Sequence, residues 1–123
     1  EASDDGGGVL VQDATVSFAD GVEVWDNIAG DNGGGVYAYT DSVVVLLRNV
    51  SVRGNHAEDN GGGIALAYRS RGEAADSVHF VANSANNDGG GVYVGSSATL
   101  LLERTITFSG NTAADDGGGL HVE

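Results

Sequence analysis

A short glycine motif recurs five times along the chain and constrains its fold more than any other feature. Each copy consists of two Asp or Asn residues, three glycines and an aliphatic residue. The first glycines are separated by 27, 28, 28 and 28 residues, since they stand at Gly6, Gly33, Gly61, Gly89 and Gly117. A fixed period of this length is typical of solenoids, in which each repeat forms one coil. We therefore divide a single domain, 1–123, into repeats 4–30, 31–58, 59–86 and 87–114 and a partial repeat, 115–123.

Apolar residues alternate with other residues at three places in each repeat, which predicts three short strands with one face inward. In the second repeat these are the pairs Val36 and Ala38, Val44 and Leu46, and Val50 and Val52. No helical periodicity is present, and strands that recur once per coil stack in parallel about 4.8 Å apart. The sequence predicts an all-β parallel β-helix with three short strands per coil of about 28 residues and roughly 4.5 coils.

An asparagine follows the third strand of every complete repeat. We expect Asn27, Asn55, Asn83 and Asn111 to form a structural ladder, because stacked Asn side chains can hydrogen-bond amide to amide. Asn also tolerates the left-handed backbone, so the same residues are expected to form a turn. The glycine triplets are expected where the backbone needs a positive φ or a close approach between coils.

The segments Phe80–Asn83 and Phe108–Asn111, each preceded by Gly-Gly-Gly-aliphatic, carry a family resemblance. The pattern resembles the repeats of chlamydial polymorphic outer-membrane proteins and, more widely, pectin-lyase-like right-handed parallel β-helices. The first two copies depart from it, with Val24 and Val52 in place of the phenylalanine. The resemblance implies a right-handed coil. It leaves function open, because such families include adhesins, surface rods, polysaccharide lyases and epimerases.

The charge of the chain excludes several partners. Eighteen acidic residues against five basic ones give a net charge of −13, whereas a nucleic-acid or anionic-membrane surface requires a basic footprint. The chain has no Cys and therefore no disulfide framework. No apolar run approaches the roughly 18 residues that a membrane helix needs, so we expect no membrane insertion.

The Asp/Asn pairs before the glycines form oxygen-rich rows that could hold Ca²⁺, the one cofactor that the sequence suggests. The alternative is that they are solvated turn residues. The candidate ligands are Asp4, Asp5, Asp31, Asp59, Asp88, Asp115 and Asp116.

The third repeat carries an irregular segment, Tyr68–Glu73, which we expect to break the second strand and to protrude as a loop. Its Tyr68, Arg69 and Arg71 could contact an acidic sugar. The β-helix lyases and epimerases use acids with Arg or Lys bases, but Lys is absent here and the three histidines occupy different repeat positions. We therefore predict no enzymatic activity and no catalytic residues.

Apolar residues also occupy outward positions of the first two strands. A strand that is apolar on both faces is usually covered on both, so these residues predict an assembly face. They are Tyr37, Val43, Val45, Leu47, Tyr93 and Leu101. Neither rod end carries a recognisable cap, so we expect protein subunits or further coils at both ends and along the Val43–Leu47 face. The sequence favours a structural or adhesive module at the cell surface or outside the cell; the alternative is a carbohydrate-active or carbohydrate-binding β-helix.

Overall fold

The computed structural model describes all 123 residues and consists entirely of parallel strands and turns. The first sheet contains β1 (Val9–Gln12), β5 (Val36–Tyr39), β9 (Ile64–Leu66), β13 (Val92–Val94) and β17 (Leu120–Val122). The second contains β2 (Thr15–Phe18), β6 (Val43–Arg48), β10 (Arg71–Asp76) and β14 (Thr99–Leu102). The third contains β3 (Glu23–Trp25), β7 (Ser51–Arg53), β11 (Val78–Val81) and β15 (Ile106–Ser109). Nowhere does the chain form a helix with the length and apolarity that crossing a bilayer requires.

Every ladder joins strands one coil apart. Val36 pairs with Ile64, and Ile64 pairs with Val92, so equivalent residues of successive repeats lie directly above one another. The prediction of an all-β parallel solenoid with a spacing of about 28 residues is therefore confirmed.

The structure adds a fourth sheet of two-residue strands, where the sequence suggested only a turn. These strands are β4 (Ile28–Ala29), β8 (His56–Ala57), β12 (Ser84–Ala85) and β16 (Thr112–Ala113). The left-handed backbone falls one residue before each Asn, at Asp26, Gly54, Ala82 and Gly110, with φ between 52° and 63°. The expectation that Asn itself takes this conformation is therefore wrong. Because the turn is complete before the Asn, the chain after it is extended and pairs.

One apolar core runs along the rod. Sixteen buried residues, all but Val50 from the first three sheets, form a single cluster, which includes Val36, Leu46, Leu66 and Phe80. The rings of Phe80 and Phe108 stack with centroids 4.9 Å apart. Each coil therefore covers the apolar side chains of its neighbours, as expected when a single repeat cannot bury its own core.

The third repeat keeps the regular geometry, so the expected loop at Tyr68–Glu73 is wrong. The chain turns at Tyr68 and Arg69, with φ of 49° and 64°, and β10 then pairs in register with both β6 and β14. Gly72 occupies an inward position in this strand. Its missing side chain is compensated by neighbouring leucines, since an ideal Cβ there would lie 2.7 Å from a methyl of Leu66 and 2.9 Å from a methyl of Leu100.

Candidate functional site

The glycine triplets bring the coils into close contact. Gly61 has φ of +70° and folds the chain against the outer side of β9, where an ideal Cβ would lie 2.6 Å from the side chain of Ala65. Gly62 lies between coils, with its ideal Cβ 2.2 Å from the carbonyl oxygen of Ser84 and 2.5 Å from that of Gly90. Gly63 faces the side chain of Asn83 at 3.2 Å. The triplet therefore needs glycine both for its backbone conformation and for the absence of a side chain.

The four asparagines after the third strand point into the rod and join successive coils. The Asn83 amide nitrogen donates to Asn111 Oδ1 at 2.9 Å and to the carbonyl of Val52 at 2.9 Å. Its Oδ1 accepts hydrogen bonds from the backbone nitrogen and the side-chain nitrogen of Asn55, at 3.0 and 2.9 Å. Because Asn55 and Asn83 are both fully buried, these bonds satisfy polar groups that water cannot reach.

The second residues of the Asp/Asn pairs form another hydrogen-bonded row, at the surface. Asp5 Oδ1 accepts from both nitrogens of Asn32, at 3.0 and 3.1 Å. Asn60 Oδ1 accepts from the backbone nitrogen of Asp88 at 3.1 Å, and Asp88 Oδ1 accepts from that of Asp116 at 2.8 Å. In each coil, therefore, one side-chain oxygen accepts a hydrogen bond from a backbone nitrogen of the next coil. The first residues of the pairs form a separate row, in which the side-chain amide of Asn87 donates a hydrogen bond to Asp59.

Two aspartates of this row and one histidine converge at one end of the rod. Asp88, Asp116 and His121 each place a ligand atom within 4.8 Å of the others, and Asp88 Oδ1 lies 4.0 Å from His121 Nδ1. Ca²⁺ prefers six to eight oxygen ligands, and a ring nitrogen is better suited to a transition metal. The structure does not bring the seven candidate aspartates together, because they are distributed over five stacked turns.

Calcium binding by the Asp/Asn rows predicts a measurable stabilisation. Millimolar Ca²⁺ should raise the melting temperature by mass action, and Mg²⁺ should raise it less, because Mg²⁺ gives up its waters reluctantly. Differential scanning calorimetry at constant ionic strength separates this effect from the screening of the net charge of −13. Identical melting curves in Ca²⁺ and in a chelator would exclude calcium as a ligand.

The expected assembly residues do not form one continuous apolar face. Val45 is followed one coil later by Glu73, and Glu73 by Leu101, so a carboxylate interrupts the row. Tyr37 and Tyr93 belong to the first sheet, whereas the other four residues belong to the second. Tyr37, which the sequence places at an outward position of the assembly face, is only 7% exposed, because its ring stacks on Tyr39 and the Gly33 turn packs beside it.

The residues suggested for an acidic sugar do not converge either. Arg69 makes two hydrogen bonds with Asp41, at 2.9 and 2.7 Å, and Arg71 pairs with Glu73 at 2.6 Å. Hydrogen bonding to Arg69 lowers the pKa of the Asp41 carboxyl, which favours the ionised pair. Only Tyr68 lines a cavity.

That cavity lies on the outer side of the first sheet and has a volume of about 260 Å³. Ala65 is in register between Tyr37 and Tyr93, so a small residue separates two rings. The cavity lining comprises Asn32, Tyr37, Asp59, Asn60, Ala67, Tyr68, Tyr93, Gly95, Ser96 and Glu123. The sequence suggests that Tyr37, Tyr68 and Tyr93 could stack on sugars, but it did not show that the three enclose one cavity.

Two of the cavity tyrosines remain protonated at all physiological pH values. Burial raises the pKa of Tyr37 to about 12, with a contribution from the charge of Asp5. Burial likewise raises the pKa of Tyr93 to about 12, assisted by its hydrogen bond to Glu123. The hydroxyls at this site are therefore neutral hydrogen-bonding groups.

The fold and the stacked ladders define a parallel β-solenoid repeat protein. Its repeat resembles that of the Chlamydia polymorphic membrane proteins: the model of this repeat family matches residues 105–123. This match covers β15, β16, the fifth glycine triplet and β17. Comparison with the curated proteins and with the solved structures finds no match for this chain.

Proposed function

We propose that the chain is a non-catalytic structural or adhesive module of a rod at the cell surface or outside the cell. The solenoid fold supports a structural role, because stacked coils form a stiff body whose length is set by the number of repeats. The resemblance to a polymorphic membrane protein repeat supports the location.

The observation that carries this proposal is the exposure of the core at both ends of the rod. The apolar ladders are buried in the middle coils, and most of their terminal members are only partly buried, although Val11, Phe18 and Val24 of the first coil are buried. These terminal members include Val9, Val16, Val22, Leu100, Ile106, Phe108 and Leu120. The end strands also carry backbone groups with no further strand beside them, which favours pairing with additional β-structure. We therefore propose that further coils stack on both ends.

The arginine pairing supports the non-catalytic part of the proposal. Each of the five arginines lies within 4.0 Å of a carboxylate oxygen, so none of them is an uncompensated base beside a cleft. Incubation with polyuronate substrates is expected to give no unsaturated product by ultraviolet absorbance. Product formation above that of a heat-unfolded sample would reverse this part of the proposal.

End-to-end assembly predicts that a charge at the rod end weakens association. Val122 lies on β17 at the open end and is 65% exposed. The variant Val122→Lys should shift sedimentation equilibrium towards monomer by about tenfold or more in the association constant, because the ammonium would be desolvated at the interface.

Two variants with the same charge change locate the interface. Val45→Lys tests the Val43–Leu47 face, which the sequence also suggests as an assembly surface, and Val81→Lys places the charge on the third sheet. If only Val122→Lys weakens association, the partners meet at the ends, whereas an effect of Val45→Lys indicates lateral contact. A native chain that stays monomeric at millimolar concentration would contradict assembly through its exposed core.

A further inference from the structure

We propose that the cavity between Tyr37, Tyr68 and Tyr93 binds the side chain of an arginine presented by a partner protein. This site lies on the side of the rod and goes beyond the structural role proposed above.

The spacing of the tyrosines leaves room for a flat ligand. Tyr37 and Tyr93 are two strand spacings apart, about 9.6 Å, with Ala65 between them. A planar group in contact with two rings needs about 7–8 Å between them, from contact distances of about 3.5–4.0 Å on each side, so this gap admits such a group against one ring with roughly 2 Å to spare at the other. His121 stacks on Tyr93 at 5.6 Å, with an angle of 15° between the planes, and supports the ring from the far side.

Tyr37 supplies an unused polar group to this cavity. The residue is 7% exposed and lines the cavity, and its hydroxyl has no hydrogen-bond partner, whereas those of Tyr39 and Tyr93 bind Gln12 and Glu123. No fully buried side-chain oxygen or nitrogen lacks a partner, so the Tyr37 hydroxyl must be reached from open space. A ligand that donates a hydrogen bond would satisfy this oxygen.

The charge of the lining selects a cation. Asp59 and Glu123 line the cavity, and no basic residue does. Hydrogen bonds from Tyr93 and Ser96 lower the pKa of the Glu123 carboxyl, so it is charged at neutral pH. The guanidinium of nearby Arg69 donates two hydrogen bonds to the Asp41 carboxylate. Uronic acids and phosphates would therefore be repelled.

Arginine fits the combined requirements better than other cations. Its guanidinium is planar, stacks on aromatic faces and presents five N–H donors to carboxylates and hydroxyls. A lysine ammonium offers the charge but no flat surface, and it carries a tighter hydration shell.

The test is a nuclear magnetic resonance titration with the capped peptide acetyl-Gly-Arg-Gly-amide. We expect saturable shifts of the ring signals of Tyr37, Tyr68 and Tyr93. The same peptide with citrulline, which keeps the shape but lacks the charge, should bind at least about fivefold more weakly, and a lysine peptide should be intermediate. Equal binding of the citrulline peptide would overturn the proposal, as would stronger binding of glucosamine or a neutral sugar.

Matched variants separate the cavity from general attraction to an acidic protein. Tyr68→Ala and Glu123→Gln alter exposed side chains, so we expect both variants to fold. Each should weaken binding of the arginine peptide at least about threefold. Glu103→Gln removes one negative charge outside the cavity and should have little effect. If Glu103→Gln weakens binding as much as Glu123→Gln, the attraction is nonspecific and the site is refuted. Tyr68→Ala should leave the sedimentation equilibrium of the chain unchanged, so failure of end-to-end assembly and failure of this site are distinguishable.

Discussion

Gly62→Ala is expected to lower the free energy of unfolding by at least about 4 kcal/mol, or to prevent folding. An ideal Cβ at Gly62 would lie 2.2 Å from the carbonyl oxygen of Ser84 and 2.5 Å from that of Gly90. Both obstacles are backbone atoms, Ser84 at the end of the same repeat and Gly90 in the next one, so no side-chain rotation relieves the overlap. The coils would have to separate, which breaks ladder hydrogen bonds and opens the core. Urea denaturation followed by circular dichroism measures the loss.

Gly110→Ala is a comparison variant at a position where backbone conformation, and not close contact, favours glycine. Gly110 has φ of +63°, but its ideal Cβ would have no atom closer than 4.0 Å. It therefore isolates the cost of a left-handed alanine, about 1–2 kcal/mol. Equal losses for the two variants would mean that close contact between coils is not what requires glycine in the triplet.

Asn83→Ala is expected to destabilise the protein by about 3–5 kcal/mol, because several buried or partly buried polar groups would lose a hydrogen bond. The groups affected are the backbone and side-chain nitrogens of Asn55, the carbonyl of Val52 and Oδ1 of Asn111. Water cannot replace the amide unless the turn opens. The same denaturation measurement applies, and the slope of the transition shows whether the unfolded state also changes.

Asn27→Ala tests the same chemistry at the end of the ladder. Asn27 is only half-buried and donates to Asn55 Oδ1, but its own Oδ1 accepts no hydrogen bond from another coil. Its removal should cost about 1–2 kcal/mol. If Asn27→Ala costs as much as Asn83→Ala, position within the ladder is irrelevant and the buried network is not the source of the stability.

The 28-residue period by itself determined the main architecture. Once equivalent residues recur at a fixed spacing and alternate between apolar and polar, stacking in register is the arrangement that buries every apolar row. Val36, Ile64 and Val92 therefore lie above one another in the structure as the repeat predicts. The all-β class followed from local patterns of this kind, because alternation is a property of a few neighbouring residues.

Only the tertiary structure decided the features that depend on distances between coils. A strand of two residues, such as Ser84–Ala85, is too short to show alternation and exists because the adjacent coils pair with it. Tyr37 occupies an outward position, yet Tyr39 and the Gly33 turn bury it. Arg69 pairs with Asp41 because its side chain is long enough to reach the neighbouring coil, about 4.8 Å away. The cavity beside Tyr68 likewise depends on how far side chains of adjacent coils extend. A periodic sequence specifies which residues stack, whereas packing geometry decides which of their surfaces and charges remain free.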